Sequence, residues 1–93
     1  MEHNKPEYLL DNNEESSTRF ISFKGDTERF DLAIISSKSL KNDFLVMDLN
    51  SNKYSKVNAA TIDKANYLEH AFQYNEMEAE DFRFYVRPLL NEN

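Results

Sequence analysis

The chain has 93 residues, of which 40% are hydrophobic and 13% aromatic, and its net charge at pH 7 is −6. A chain of this length forms one small domain with a modest core, and its bulky side chains suffice to fill that core. It contains no cysteine, which excludes disulfides, thiolate nucleophiles and zinc sites built on sulfur. The acidic balance argues against nucleic-acid binding, because affinity for phosphate backbones comes mainly from clusters of Lys and Arg.

The acidic charge lies at the two ends of the chain. Residues 1–17 and 61–93 each carry −4, whereas residues 18–60 carry +2. The first residues lack the basic start and apolar core of an export signal, and no apolar run approaches the roughly 20 residues of a membrane-spanning helix. The sequence therefore predicts a cytoplasmic protein with no membrane and no nucleic-acid partner.

Residues 1–17 are polar and acidic, and we expect them to form a flexible tail before a single domain over residues 18–91. Tyr8, Leu9 and Leu10 are three adjacent apolar residues within this polar tail. Such a segment either packs on the protein's own domain or binds a partner, and the sequence leaves both interpretations open.

The first regular element is predicted to be a β-hairpin. Residues 18–24 and 29–36 are rich in aromatic and β-branched side chains, and they flank a polar run that contains Gly25, the only glycine. A four-residue loop pairs Phe23 with Phe30 and places the bulky apolar residues on one side. A two-residue loop would instead place Phe23 opposite an acid, so we favour the longer loop.

The other side of this hairpin is also half apolar. The same register pairs Phe20 with Ala33 and places Ile35 nearby on that side. Two helices can cover only one face of a four-stranded sheet, and exposed apolar patches usually mark contacts. We therefore predict an interaction or self-association surface at Phe20, Ala33 and Ile35. The alternative is that Tyr8, Leu9 and Leu10 fold over it.

Two further strands are predicted. Residues 44–49 are apolar on both faces, which is typical of a central or covered strand. Residues 50–53 have turn chemistry, and residues 54–57 form a short, more polar strand. Lys53 and Lys56 suit an exposed sheet edge, where charge discourages pairing with other chains.

From Thr61 the hydrophobic period changes from two to about 3.6. This pattern predicts a helix over residues 63–74, then a break near Asn75 where Glu78 completes a capping box. Pro88 should kink or fray the last helix after Arg87. The predicted fold is α+β: an antiparallel four-stranded β-meander followed by two C-terminal helices packed on one face of the sheet.

Three segments resemble a known family. They are residues 29–34 (RFDLAI), 67–70 (YLEH) and 75–80 (NEMEAE). They are similar to a family of short Firmicutes proteins classed as a domain of unknown function, DUF3055, and the resemblance covers roughly residues 18–90. It implies a small bacterial cytoplasmic protein, and it carries over no catalytic residues because none is assigned.

No constellation of residues specifies a reaction. His70 follows Glu69 on a predicted helix, and adjacent helical residues point about 100° apart, which is poor geometry for sharing a metal ion. A single glycine excludes a Gly-rich phosphate loop, and no serine has the flanking glycines of a nucleophile elbow. The sequence therefore predicts no catalytic residue, no metal and no cofactor.

The sequence favours a non-enzymatic protein-interaction or regulatory module that binds another protein or itself. The alternative is a small-ligand-binding protein or enzyme with a site between the sheet and the helices, which would use Arg19, His70 or tyrosine side chains. A pocket with convergent polar groups would favour this alternative. An exposed apolar sheet face over a closed core would favour the interaction module.

Overall fold

The computed structural model of the protein describes residues 5–90. Four strands form an antiparallel sheet in sequential order, namely β1 (Ser16–Lys24), β2 (Arg29–Ser37), β3 (Phe44–Asp48) and β4 (Lys53–Val57). Two helices follow the sheet, α1 (Tyr67–Phe72) and α2 (Glu76–Leu90), and single 3₁₀ turns occupy Lys38–Leu40 and Thr61–Asp63. The predicted α+β meander with two C-terminal helices is confirmed.

The register of the first hairpin also agrees with the prediction. Phe23 pairs with Phe30, and the four-residue loop is closed by the Gly25 N–H, which donates to the Glu28 carbonyl at 2.8 Å. Strand β1 begins at Ser16, two residues earlier than predicted. Alternation of apolar and polar residues fixes this register, because a slip by one position would turn the aromatic face outward.

Gly25 is required by a close approach rather than by a left-handed backbone, since its φ is not positive. A Cβ at this position would lie within 2.8 Å of Cγ of Asp81, in the first half of α2. The same Asp81 carboxylate accepts a hydrogen bond from the Asp26 N–H at 2.9 Å. The hairpin loop is therefore docked against α2, and a side chain at Gly25 would have to displace the Asp81 carboxylate.

The core lies between the helices and one face of the sheet. Alternate residues of the strands point into it, and one stripe of α2 covers them. Side chains buried there include Phe30, Leu32, Ile34, Val46 and Val57 from the strands, with Leu68, Phe72, Ala79, Phe82, Val86 and Leu90 from the helices. Among residues 5–90, no element forms a covering layer on the opposite face of the sheet.

The helix predicted over residues 63–74 is shorter than expected. Lys64 is extended and Asn66 is left-handed, with φ of 64°, so the chain leaves the helical region before α1 begins at Tyr67. The preceding 3₁₀ turn is held instead by Asn58, whose side-chain oxygen accepts the Thr61 N–H at 2.8 Å. Left-handed Gln73, with φ of 62°, then ends α1.

The start of α2 is confirmed, whereas its predicted kink or fraying after Arg87 is not. Asn75 and Glu78 form the capping box, because each accepts the other's backbone N–H at 2.8 to 2.9 Å. The helix continues through Pro88 to Leu90. Pro88 lies within the last turn, where its missing N–H removes only one hydrogen bond, and the buried Leu90 side chain anchors that turn.

Candidate functional site

The face of the sheet opposite the helices, which we call the open face, carries a continuous row of apolar side chains. Phe20 pairs with Ala33, Ala33 with Met47, and Met47 with Tyr54, so these four residues form one row across all four strands. Neighbouring strands lie about 4.8 Å apart, so the row is about 14 Å wide. We call it the cross-strand row.

The two ends of the cross-strand row are exposed aromatic residues. Phe20 on β1 is 72% exposed and Tyr54 on β4 is 65% exposed. Met47 is half-buried, and Ala33 is only 3% exposed. Ala33 was expected to be exposed, but this small side chain lies between the larger Phe20 and Met47, which pair with it and shield it.

A second apolar pair lies beside the cross-strand row. Ile35 pairs with Leu45, and both side chains are half-buried on the open face. The side chains of Phe44 and Val46, by contrast, lie on the other face of the sheet and pack in the core. The open face therefore has an apolar centre two rows deep, bounded by polar positions farther along the strands.

The charged residues on the open face are mainly basic. Lys24 and Arg29 pair with each other at the hairpin end of the sheet, and Lys56 lies on β4 beside Leu45. Asp31 is the one acid among the strand residues that share this face. The face thus carries +2, although the whole chain carries −6.

Asp31 organises the polar end of this face. Its carboxylate accepts hydrogen bonds from the Ser22 hydroxyl at 2.5 Å and from the Asn50 side-chain amide at 3.1 Å, and it pairs with Arg29 at 3.1 Å. Chiefly because Ser22 and Asn50 donate to the charged form, the pKa of Asp31 lies below its ordinary value. Asp31 is therefore ionised at neutral pH and orients the Arg29 side chain.

Tyr8, Leu9 and Leu10 do not pack on the domain. Their side chains are 69%, 107% and 82% exposed, respectively. The tail is held at its base by Glu14, whose carboxylate accepts hydrogen bonds from the Ser39 N–H, at 3.2 Å, and from the Ser39 hydroxyl. The Cα trace measures 59 × 29 × 24 Å, so its longest dimension is about twice the other two, as expected for a projecting tail.

A cavity of about 390 Å³ lies between the core face of the sheet and the end of α2. It combines two bases and two hydroxyls with apolar side chains, and its lining consists of Ser17, Arg19, Ile34, Ser36, Lys41, Phe44 and Leu89. The cavity lies where the alternative hypothesis predicted a site. It does not include His70.

His70 lines a separate cavity of about 430 Å³, together with residues 64–67 and Ala71. The structure therefore does not bring Arg19 and His70 together. Among residues 5–90, no three His, Asp or Glu side chains are arranged to hold a metal ion. Within the same range, no helix is both long enough and apolar enough to cross a membrane.

One buried polar pair was missed by sequence reasoning. Asp48, 5% exposed, accepts a hydrogen bond from the Tyr74 hydroxyl at 2.6 Å. Burial, and then the hydrogen bond to Asp48, raise the pKa of Tyr74. Near this pair, partial loss of hydration and a hydrogen bond with Glu78 raise the pKa of Glu28. These contacts join the hairpin, β3 and α2, and their role is structural.

A family model matches residues 9–88 of the chain, which is more than half of its length. The chain belongs to the SAV0927-like family. This family is uncharacterised, so the match establishes kinship without an activity. No curated protein matches the chain.

The SAV0927-like match begins before the first strand. It contains all four strands and both helices as far as Pro88. It also contains Leu9 and Leu10, so part of the exposed apolar segment lies within the region that defines the family.

Sequence reasoning placed Phe20, Ala33 and Ile35 on one face of the SAV0927-like fold, as the structure does. It expected some of Phe44, Val46 or Met47 to share this face without deciding which, and it missed Tyr54; the structure places Met47 and Tyr54 in the cross-strand row. The signal for both residues was present in the alternation of β3 and β4. It could be read only once the register between β2 and β3 was known.

Proposed function

We propose that this SAV0927-like protein is a small non-enzymatic protein-interaction or regulatory module and that the open face is its binding surface. The observation that carries this proposal is the cross-strand row, which ends in Phe20 and Tyr54 at 72% and 65% exposure. The proposal includes the bacterial, cytoplasmic setting and the Firmicutes kinship that the sequence resemblance implies.

The energetic argument starts from the two exposed aromatic residues. Fully burying one large apolar side chain stabilises a contact by about 1.5–3 kcal/mol. Phe20 and Tyr54 keep most of their surface in water, so a partner that covers both would gain much of this energy. Lys24, Arg29 and Lys56 around the apolar centre resemble the polar rim that surrounds the centre of a typical interface.

Site-specific photo-crosslinking tests this proposal. Phe20 is replaced with p-benzoylphenylalanine in the full chain, and the protein is irradiated in cells that normally express it. Phe84 on α2 is the matched control position, because it is an aromatic residue with the same 72% exposure on the other side of the molecule. We expect a discrete crosslinked protein from position 20 and none from position 84. No product from position 20, or the same product from both positions, would contradict the proposal.

The cavity of about 390 Å³ that contains Arg19 supports a second candidate function, the binding of a small anion that also has an apolar chain. Arg19 and Lys41 supply positive charge, Ser17 and Ser36 supply hydroxyls, and the remaining lining is apolar. Octanoate is a suitable probe because it combines a carboxylate with an alkyl chain. Saturable shifts of the Ser17 and Ser36 amide resonances, weakened in a Lys41→Gln variant, would support this function. Unchanged spectra would exclude octanoate-like ligands.

A further inference from the structure

We infer that the occupant of the open face is the Tyr8–Leu10 segment of a second copy of this chain, donated reciprocally in a dimer. This inference rests on the proposed function, because it names the partner of the same surface. It joins two features of residues 5–90: an apolar segment whose side chains are 69% to 107% exposed, and an apolar row that ends in two exposed aromatic residues.

The Tyr8–Leu10 segment and the cross-strand row are similar in length. Three extended residues cover about 10 Å, and the cross-strand row is about 14 Å wide. Leu9 and Leu10 are 107% and 82% exposed, so docking costs them no existing contacts. An apolar segment of this length would cover the space between Phe20 and Tyr54.

The two surfaces also match in charge. Residues 5–15 carry four acids and one base, a net charge of −3. Glu7 and Asp11 flank the apolar segment directly, whereas the open face carries +2, with Lys56 beside Leu45 at the β4 edge and with Lys24 and Arg29 at the hairpin end, beyond Asp31. A dimer that packed two open faces together would bring like charges into contact. The charge pattern therefore favours a dimer in which the tail of one copy binds the open face of the other.

Docking on the chain's own row would require an almost fully extended tail that folds back along β1. Glu14 is held by Ser39. From Glu14, the chain back to Tyr8 spans at most about 22 Å, at 3.3 to 3.6 Å per residue. Phe20 lies six residues along the strand direction from Glu14, about 20 Å away. The segment would also have to reverse direction, so a second copy supplies the tail more easily than the same chain.

Reciprocal donation gives a closed arrangement. Each copy has one tail and one open face. In a dimer with a two-fold axis, each tail binds the open face of the other copy, and no free tail or open face remains to bind a third copy. The solution mass is therefore predicted to reach twice the 11.0 kDa of one chain and not to rise further with concentration.

Light scattering over a range of concentrations, with a mixing experiment, tests the inference on the full chain. The tail variant carries Leu9→Ser and Leu10→Ser, the face variant carries Phe20→Ser and Tyr54→Ser, and Phe84→Ser is the control for loss of an exposed aromatic residue. We expect the tail and face variants to dimerise at least tenfold more weakly than the wild type, and the control to dimerise normally. Circular dichroism checks that each variant remains folded.

The mixing experiment identifies tail donation. The tail variant keeps an intact face and the face variant keeps an intact tail, so their mixture can form a heterodimer with one docked segment. We expect the mixture to dimerise more strongly than either variant alone. A face-to-face dimer predicts instead that the tail variant dimerises like the wild type, which would overturn the inference.

A monomer at every concentration would also overturn the inference. Crosslinking from position 20 then separates the two proposals. If position 20 crosslinks to a different protein, the proposed function stands and only the identity of the partner is wrong. If position 20 crosslinks to nothing, both the proposed function and the inference fail.

Discussion

The Tyr74 hydroxyl donates a 2.6 Å hydrogen bond to Oδ2 of Asp48, and both residues are buried, at 8% and 5% exposure. The other Asp48 oxygen accepts the backbone N–H groups of Asn50 and Ser51 at 3.0 and 3.3 Å. A buried carboxylate is costly unless it is hydrogen-bonded on all sides. This single side chain therefore joins the end of β3, the following turn and the segment before α2.

Replacing Tyr74 with Phe removes one donor from the buried Asp48 carboxylate and keeps the aromatic ring. Hydrogen bonds to charged groups contribute about 1.5–3 kcal/mol, so we expect the free energy of unfolding to fall by about this amount. Urea denaturation at pH 7 measures the change. The matched control is Tyr54→Phe, because Tyr54 is exposed, and its effect should stay below about 0.5 kcal/mol. Equal effects of the two substitutions would show that the buried bond adds nothing.

The contact between Gly25 and Asp81 predicts an interaction between two substitutions. In Gly25→Ala the new methyl group displaces the Asp81 carboxylate, which then loses its bond to the Asp26 N–H. We expect a loss of about 1–3 kcal/mol in unfolding free energy. In an Asp81→Ala background the methyl group meets no carboxylate, so Gly25→Ala should cost clearly less. A double-mutant cycle measures this coupling, and additive losses would contradict the steric explanation.

The strands could be predicted because alternation carries most of the information about a sheet. Phe23, Phe30 and Leu32 fixed both the loop length and the register of the first hairpin, and the structure has the same pairs. The capping box at Asn75 was predictable for a similar reason, since it depends only on two residues three positions apart. Local patterns of this kind are enough for both features.

The remaining differences come from tertiary contacts that no local pattern encodes. The helical spacing of Ile62, Leu68 and Phe72 reflects a shared buried side, but left-handed Asn66 divides the segment. Asp48 lies in a strand that is otherwise apolar, and its burial depends on a tyrosine 26 positions away. The open face was foreseen only in part, because the cross-strand row requires the register of all four strands.

The capping box at the start of α2 can be tested by a single substitution. Asn75→Ala removes the side-chain oxygen that accepts the Glu78 N–H at 2.8 Å. Loss of an N-cap side chain costs about 1 kcal/mol, so we expect a decrease of that size in the free energy of unfolding. Asn75→Asp should retain most of the stability, because an aspartate oxygen can accept the same hydrogen bond. Equal losses for Ala and Asp would place the role of Asn75 elsewhere.

Substitution of Glu28 is expected to increase the free energy of unfolding, whereas the substitutions above decrease it. Partial loss of hydration, followed by the hydrogen bond with Glu78 and the negative charges of Glu78, Asp48 and Asp81, raises the pKa of Glu28 in the folded state. The folded state therefore binds this proton more tightly than the unfolded state, so ionised Glu28 destabilises the fold above its folded pKa. This penalty decreases as the pH falls through the folded pKa and vanishes below the unfolded value of about 4.3.

We expect Glu28→Gln to increase the free energy of unfolding at pH 7, by less than about 1 kcal/mol because solvent screens this largely exposed group. The gain should shrink between pH 7 and pH 4, where wild-type Glu28 becomes protonated in the folded state. Urea denaturation at several pH values measures both effects. Glu7→Gln in the exposed tail is the matched control and should change stability at neither pH. If Glu28→Gln were less stable at pH 7, or if its gain did not depend on pH, the raised pKa of Glu28 would not be the cause.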